Sequence, residues 1–190
     1  MGFKFGKHYL TGGLDFENIY KDGVRTMTMH MMGGTSTKKF NLWNKAVIQN
    51  AGLMAGYNSV FGLYTFNAGL RMDVNKADSE DTLVLIKNGV EYFNETASEY
   101  VNFSANLGVT RKISEKLSVS LAIARGTRSP NMLERYIKLL TVGYDSYDYL
   151  GNPQLKPETN NEVDLTIKFS DGKLGSMYAN GFYSFVKDYI

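Results

Sequence analysis

The stretch GNPQLKPETNNEVDLTIKF, residues 151–169, changes from turn residues to a regular alternation of polar and apolar residues. Pro153 and Pro157 lack an N–H group, so they suit the approach to a strand and not its middle. The apolar residues of the alternation are Val163, Leu165, Ile167 and Phe169, and the polar ones are Glu162, Asp164, Thr166 and Lys168. This period of two predicts a β-strand with one apolar and one charged face.

The same alternation recurs along the chain. In residues 117–128 it sets Leu117, Val119, Leu121 and Ile123 against Ser118, Ser120, Ala122 and Ala124. Comparable stretches are residues 8–17, 47–57, 61–73, 100–110 and 176–186. Together they predict about seven strands of roughly ten residues, the length that crosses a bilayer when tilted. No stretch of similar length has apolar residues at helical spacing, so the predicted class is all-β.

The connections between these strands alternate in length. Short links fall near residues 58, 114 and 171, and long ones span 20–46, 74–99 and 127–158. In an antiparallel sheet this order places every short turn at one end and every long connection at the other. Outer-membrane barrels have this asymmetry, so we expect a segment of a transmembrane β-barrel, present as an open sheet. A soluble β-sandwich, with its apolar faces turned inward, remains the alternative architecture.

Composition excludes several functions. The net charge of +2 comes from 21 basic and 19 acidic residues, which argues against a nucleic-acid partner. There is no cysteine, no apolar run long enough for a transmembrane helix, and no apolar leader at Met1. His8 and His30 are the only histidines, and no serine lies in a G-x-S-x-G motif. We therefore expect neither an enzyme nor a resident cofactor.

A run of motifs in the C-terminal third resembles the barrel of TonB-dependent outer-membrane receptors. It begins with ARGTRSPNMLERY, residues 124–136, and continues with YLGNPQLKPETNNEVDL, residues 149–165. The positions that carry the resemblance are Arg128, Pro130, Glu134, Gly151, Asn152, Leu155, Pro157, Glu158 and Glu162. The stretches 66–74 and 182–190 are similar to strands of the same family.

The resemblance implies a barrel of about 22 strands around an N-terminal plug. It implies a cell outer membrane of a Gram-negative bacterium, contact with its lipid, and import of a scarce small metal complex. The expected ligand is an iron complex, a siderophore or haem, and the expected partner is the TonB complex, reached through the plug. We expect residues 1–190 to be an interior slice of that barrel, without plug, signal peptide or last strands. A passive porin-like barrel is a second interpretation.

Two groups of side chains suggest specific contacts. Arg128 and Glu162 have the same strand parity on neighbouring strands, so they either form an ion pair or are solvated separately. The run MTMHMM, residues 27–32, offers thioethers and an imidazole, which suit copper. Met27, Met29, His30 and Met31 are thus candidate copper contacts of a copper-importing variant, although an apolar surface of methionines explains the same pattern.

Overall fold

A computed structural model of the chain describes residues 1–80, 85–87, 90–92, 95–137, 140–141, 148–173 and 175–190. Its principal element is an antiparallel sheet of eight strands. In spatial order these are β1 (Gly2–Phe5), β2 (His8–Met31), β3 (Gly34–Phe61), β4 (Tyr64–Asp78), β7 (Ser98–Lys112), β8 (Leu117–Arg128), β11 (Glu158–Asp171) and β12 (Gly175–Lys187). The all-β prediction is confirmed, and the eighth strand is the short β1.

The remaining elements lie within the long connections. The pairs are β5 (Leu85–Lys87) with β6 (Val90–Tyr92), and β9 (Leu140–Thr141) with β10 (Asp148–Tyr149). A single helical turn, α1 (Met132–Tyr136), follows β8. The main strands neighbour one another in chain order, and β1 and β12 are the two unpaired edges. The sheet is therefore an open meander, as predicted.

The two ends of the sheet differ as the link lengths predict. Tight turns join β1 to β2, β3 to β4, β7 to β8 and β11 to β12, and antiparallel pairing places all of them at one end, the short-turn end. Gly6 and Gly62 occupy two of these turns with φ of +59° and +57°, a conformation that glycine adopts readily. The β3–β4 turn falls at residues 62–63, later than predicted, because the alternation continues through Phe61.

The prediction of a long loop over residues 20–46 is wrong. Strands β2 and β3 instead continue as a two-stranded ribbon, in which residues 23–31 pair with residues 34–43. We call this the β2–β3 ribbon. It extends beyond the main sheet because β3 pairs with β4 only from Val47 onward. Register shifts beside Gly23, with Lys45 at φ 44°, mark where the ribbon leaves the sheet.

The register assigns side chains to two faces. Val163 pairs with Ile123, Leu165 with Leu121 and Ile167 with Val119, so these residues share one face. We call it the apolar face and the opposite one the polar face. The apolar face is open: Leu121, Ile123, Val163, Leu165 and Ile167 are 45–50% exposed.

The soluble-sandwich alternative is wrong for the part of the chain that the structure describes. It required a second sheet packed on the apolar face, and the only other sheets described there are the two short two-stranded pairs. A small hydrophobic cluster lies on the opposite side, where Met132 and Tyr136 of α1 pack against Ala46, Ile48 and Ala77. These alanines and Ile48 have polar-face parity, so α1 folds over the polar face at the long-connection end.

Candidate functional site: the polar wall and its clamp

Hydrogen-bonding side chains cover the polar face beneath α1. They border a cleft of about 650 Å³ that reaches from β2 across to the start of α1. We call this surface the polar wall: Asp15, Glu17, Asn50, Arg71, Asp73, Asn75 and Asn102. The strands place these residues side by side because each has the same parity in the register of β2, β3, β4 and β7.

Arg71 is the centre of an ion-pair cluster in the wall. Its Nη1 lies 2.9 Å from Asp15 Oδ1, and its Nε donates to Asp73 Oδ2 at 2.8 Å. Gly52 leaves room for the cluster, since a Cβ there would lie 2.7 Å from Asp15 Oδ1 and 2.8 Å from Asp73 Oδ1. One guanidinium between two carboxylates leaves this part of the wall with a net negative charge.

A chain of hydrogen bonds connects α1 to the far side of the wall. Arg135 Nη2 donates to Asn75 Oδ1 at 2.6 Å, Asn75 donates to Asn50, and Asn50 Nδ2 donates to Glu17 Oε2 at 2.7 Å. The chain crosses three strands and joins a cation to a carboxylate. It positions the amides of Asn75 and Asn50, so that their orientation is set by α1.

Arg135 is the most buried charge of the chain's described part, with 0% of the residue exposed. Its guanidinium lies 5.4 Å from the ring of Tyr100, and Nε and Nη1 lack a hydrogen-bond partner of good geometry among the described residues. Burial lowers the pKa of Arg135 and raises that of the neighbouring Tyr136 hydroxyl. The sequence does not indicate the burial of Arg135, because an arginine inside a polar loop is ordinarily exposed.

The motif residues form a clamp that holds α1. We define the clamp as Arg128, Pro130, Asn131, Glu134, Gly151, Asn152 and Glu158. Arg128 Nη1 donates to Glu134 Oε2 at 2.9 Å, and Nη2 lies 3.4 Å from Glu158 Oε2. Glu134 Oε2 also accepts from the Asn131 N–H at 2.6 Å, while Asn131 Oδ1 accepts from the Glu134 N–H at 3.0 Å. This reciprocal capping box starts the helical turn.

The second half of the motif closes the clamp from below. The N–H groups of Gly151 and Asn152 donate to the carbonyls of Ile137 and Glu134 at 2.7 and 2.8 Å. A Cβ on Gly151 would lie 2.6 Å from the backbone of Arg135, so only glycine fits there. Pro130 and Pro153, which flank these two segments in sequence, are fully buried.

The suggested pair of Arg128 with Glu162 does not form. Glu158 stands opposite Arg128 in the β8–β11 register, whereas Glu162 stands opposite Ala124 and accepts from Asn160 Nδ2 at 3.4 Å. The alternation in the sequence predicted the correct sheet face for Arg128 and Glu162 but the wrong ion-pair partner for Arg128. Leu155 contributes a backbone carbonyl that accepts from the Tyr100 hydroxyl at 2.9 Å.

The methionine run lies on the β2–β3 ribbon. Met27 pairs with Lys38 and Met29 with Ser36, while His30 falls on the opposite parity and its Nδ1 lies 3.2 Å from Thr35 Oγ1. Met31 ends the strand opposite Gly34. His30 is thus not on the face of Met27 and Met29. Within the described residues no group of three His, Cys, Asp or Glu side chains is arranged to hold a metal ion.

A single sheet with an open apolar face and an opposite face lined by ion pairs is the architecture of a barrel-wall segment. The family model for TonB-dependent receptor-like β-barrels matches residues 1–190. The chain therefore belongs to the TonB-dependent receptor β-barrel family. No curated protein matches it significantly. Among the described residues, no helix has the length and apolar character needed to cross a membrane.

Several solved structures share the fold, and two of them give the scale of the similarity. The chain is similar to the copper transporter OprC, with a TM-score of 0.72 and 14% identity over 97% of this chain and 29% of OprC. It is also similar to a double mutant of the Serratia marcescens hemophore receptor HasR in complex with its hemophore HasA and haem. That match has a TM-score of 0.66 and 16% identity over 96% of this chain and 32% of HasR. The chain thus spans less than a third of each protein.

Proposed function

We propose that residues 1–190 form part of the barrel wall of an outer-membrane receptor for TonB-dependent import. The observation that carries the proposal is the contrast between the two faces. The apolar face has the exposure that lipid contact requires, and the polar wall has the ion pairs of an aqueous lumen. Family membership over the whole chain supports the same role.

The proposed ligand is a scarce iron complex, either a ferric siderophore or haem. The plug and the TonB complex would act through the remainder of the receptor. A passive porin-like barrel is disfavoured because a porin belongs to a different family and has no need of the clamp motif. The motif here arranges a loop segment over the lumen side of the wall.

Uptake by cells tests this function. Cells that depend on the receptor containing this chain would be supplied with ferric citrate, ferric enterobactin or haemin as the sole iron source. We expect at least one source to support growth in TonB-competent cells and to fail in TonB-deficient cells. Equal growth in both strains would show passive diffusion and would contradict the proposal.

Copper is a second candidate cargo, and the methionine run favours it. Two thioethers, Met27 and Met29, share one face of an exposed ribbon, and thioethers prefer Cu(I). Titration with Cu(I) under reducing conditions, followed by native mass spectrometry, would test the site. We expect one bound ion in the wild type and none in the Met27→Leu/Met29→Leu variant, with His30→Ala as the control. No bound metal at equimolar copper would end this candidacy.

A further inference from the structure

A connected group of aromatic rings lies on the apolar face at the short-turn end. The ring centroids of His8 and Phe61 are 5.3 Å apart, those of Phe61 and Phe66 6.1 Å, and those of Tyr64 and Phe66 6.2 Å. His8 is held in place because its Nδ1 lies 2.8 Å from the Tyr57 hydroxyl. The tyrosines of the group, Tyr57 and Tyr64, combine an apolar ring with a polar hydroxyl, which suits the boundary between lipid tails and headgroups.

Arg111 stands beside this aromatic group on the same face. It pairs in register with Tyr64 on one side and Val119 on the other, and its guanidinium carbon lies 5.6 Å from the Tyr64 ring centroid. In the part of the chain that the structure describes, Arg111 makes no ion pair. The Arg111 side chain is exposed beside apolar and aromatic residues, so its guanidinium is available to bind an anion from outside the chain.

The neighbouring turns are basic. The short turns and the residues that flank them carry Lys7, Lys112, Lys116 and Lys173, against the two acids Glu115 and Asp171. Lys116 and Asp171 neutralise each other in an ion pair. The excess positive charge attracts an anionic surface to this end of the sheet.

We propose that Arg111 and Tyr64 form a binding site for the phosphate of an anionic phospholipid. Arg111 donates hydrogen bonds to the phosphate oxygens, Tyr64 stacks on the guanidinium, and the acyl chains lie along Val109 and Val119 on the apolar face. The opposite end of β8 lacks this arrangement, since Arg125 there already donates to Asn161 Oδ1 at 3.4 Å. The inference rests on the membrane location proposed above and not on the identity of the imported ligand.

Lipid binding to the purified receptor that contains this chain tests the site. The probe is dioleoylphosphatidylglycerol, added to the folded receptor in detergent and measured by native mass spectrometry. Arg111→Gln should weaken binding about tenfold, because a charge-assisted hydrogen bond is lost. Tyr64→Leu should weaken it about threefold through loss of the stacked ring.

Lys112→Gln is the matched control. Lys112 is adjacent in sequence and loses the same charge, but it lies opposite Ser118 on the polar face. We expect phosphatidylglycerol binding to the Lys112→Gln variant to change by less than about twofold, which is the effect of one screened charge. Heat-modifiable electrophoretic mobility would confirm that each variant is folded.

Three results would overturn the inference. The first is an equal loss of lipid binding in Arg111→Gln and Lys112→Gln, which would show non-specific attraction to the basic turns. The second is unchanged binding in Arg111→Gln. The third is displacement of the lipid by millimolar glycerol 3-phosphate, which would show a site for a free phosphate. A receptor that imports neither iron nor copper but still binds phosphatidylglycerol through Arg111 would contradict the proposed function and leave this site intact.

Discussion

The clamp and the β2–β3 ribbon lie at the same end of the sheet and differ in how their side chains are satisfied. In the clamp, Arg128, Asn131 and Glu134 each find a partner within the chain. On the ribbon, Met29 is 36% exposed and Met32 at the tip is fully exposed. The most recognisable motif of the chain is therefore structural, since its contacts are internal, while the side chains available to a ligand lie elsewhere.

Replacing Gly151 should have the largest effect. The Gly151→Ala change places a Cβ 2.6 Å from the backbone of Arg135, and backbone atoms yield little. We expect a loss of about 3 kcal/mol in the free energy of unfolding, measured by denaturant titration of the receptor in detergent. Gly126→Ala is the control, since a Cβ there meets nothing within 4 Å. Equal losses of unfolding free energy in the two variants would contradict the close packing of Gly151 against Arg135.

Glu134→Ala should have the next largest effect. It removes the partner of Arg128 and half of the capping box together, which we expect to cost about 2 kcal/mol of unfolding free energy. Glu158→Ala loses a longer, 3.4 Å contact with Arg128 and the 3.1 Å hydrogen bond from the Ile190 N–H, and should cost about 1 kcal/mol. The shift in denaturation midpoint measures both variants. A larger loss in Glu158→Ala than in Glu134→Ala would mean that the contacts of Glu158, and not the helix cap, dominate the stability of this region.

Arg71→Met should have a moderate effect. It leaves Asp15 and Asp73 without their shared cation, but the Arg71 side chain is 37% exposed, so solvent screens the ion pairs. We expect a loss of about 1 kcal/mol, measured by the same titration. Adding Asp15→Asn and Asp73→Asn should restore most of it, because the repulsion between carboxylates is removed. If stability were not restored, Arg71 would contribute through side-chain packing rather than through ion pairs with Asp15 and Asp73.

Variants of the ribbon should have the smallest effect on stability. Met27→Leu/Met29→Leu keeps the apolar volume and touches no internal hydrogen bond, so we expect a change below about 0.5 kcal/mol. Denaturant titration would detect a larger one. Destabilisation as large as that of Glu134→Ala would mean that the ribbon methionines contribute as much to stability as the clamp does.

The strands of the main sheet were predictable because a sheet with one apolar face requires apolar and polar residues to alternate along each strand. Val163 to Phe169 and Leu117 to Ile123 follow this rule, and their shared face followed from it. The ribbon was missed for the converse reason. The ribbon has no third strand beside it, so neither of its faces must be apolar. Its β2 half alternates Thr26 and Thr28 with Met27 and Met29 only briefly, and residues 34–39 of its β3 half include no apolar side chain.

The site was less predictable than the fold. The motif positions were identifiable, but their partners depend on register, which shifted the expected contact of Arg128 from Glu162 to Glu158. The cluster of Arg71 with Asp15 required knowledge that residues 56 apart lie on neighbouring parts of one face. Arg135 carries no sequence signal of burial at all.

In the proposed receptor the apolar face meets lipid and the polar face meets water. The chain contains no cysteine, so single cysteines can be introduced along β11 and labelled with bimane in the reconstituted receptor. We expect brominated phospholipid to quench Val163→Cys and Leu165→Cys strongly, and aqueous iodide to quench Glu162→Cys and Asp164→Cys. Quenching that does not alternate along the strand, or that alternates with the opposite parity, would contradict the assignment of the two faces.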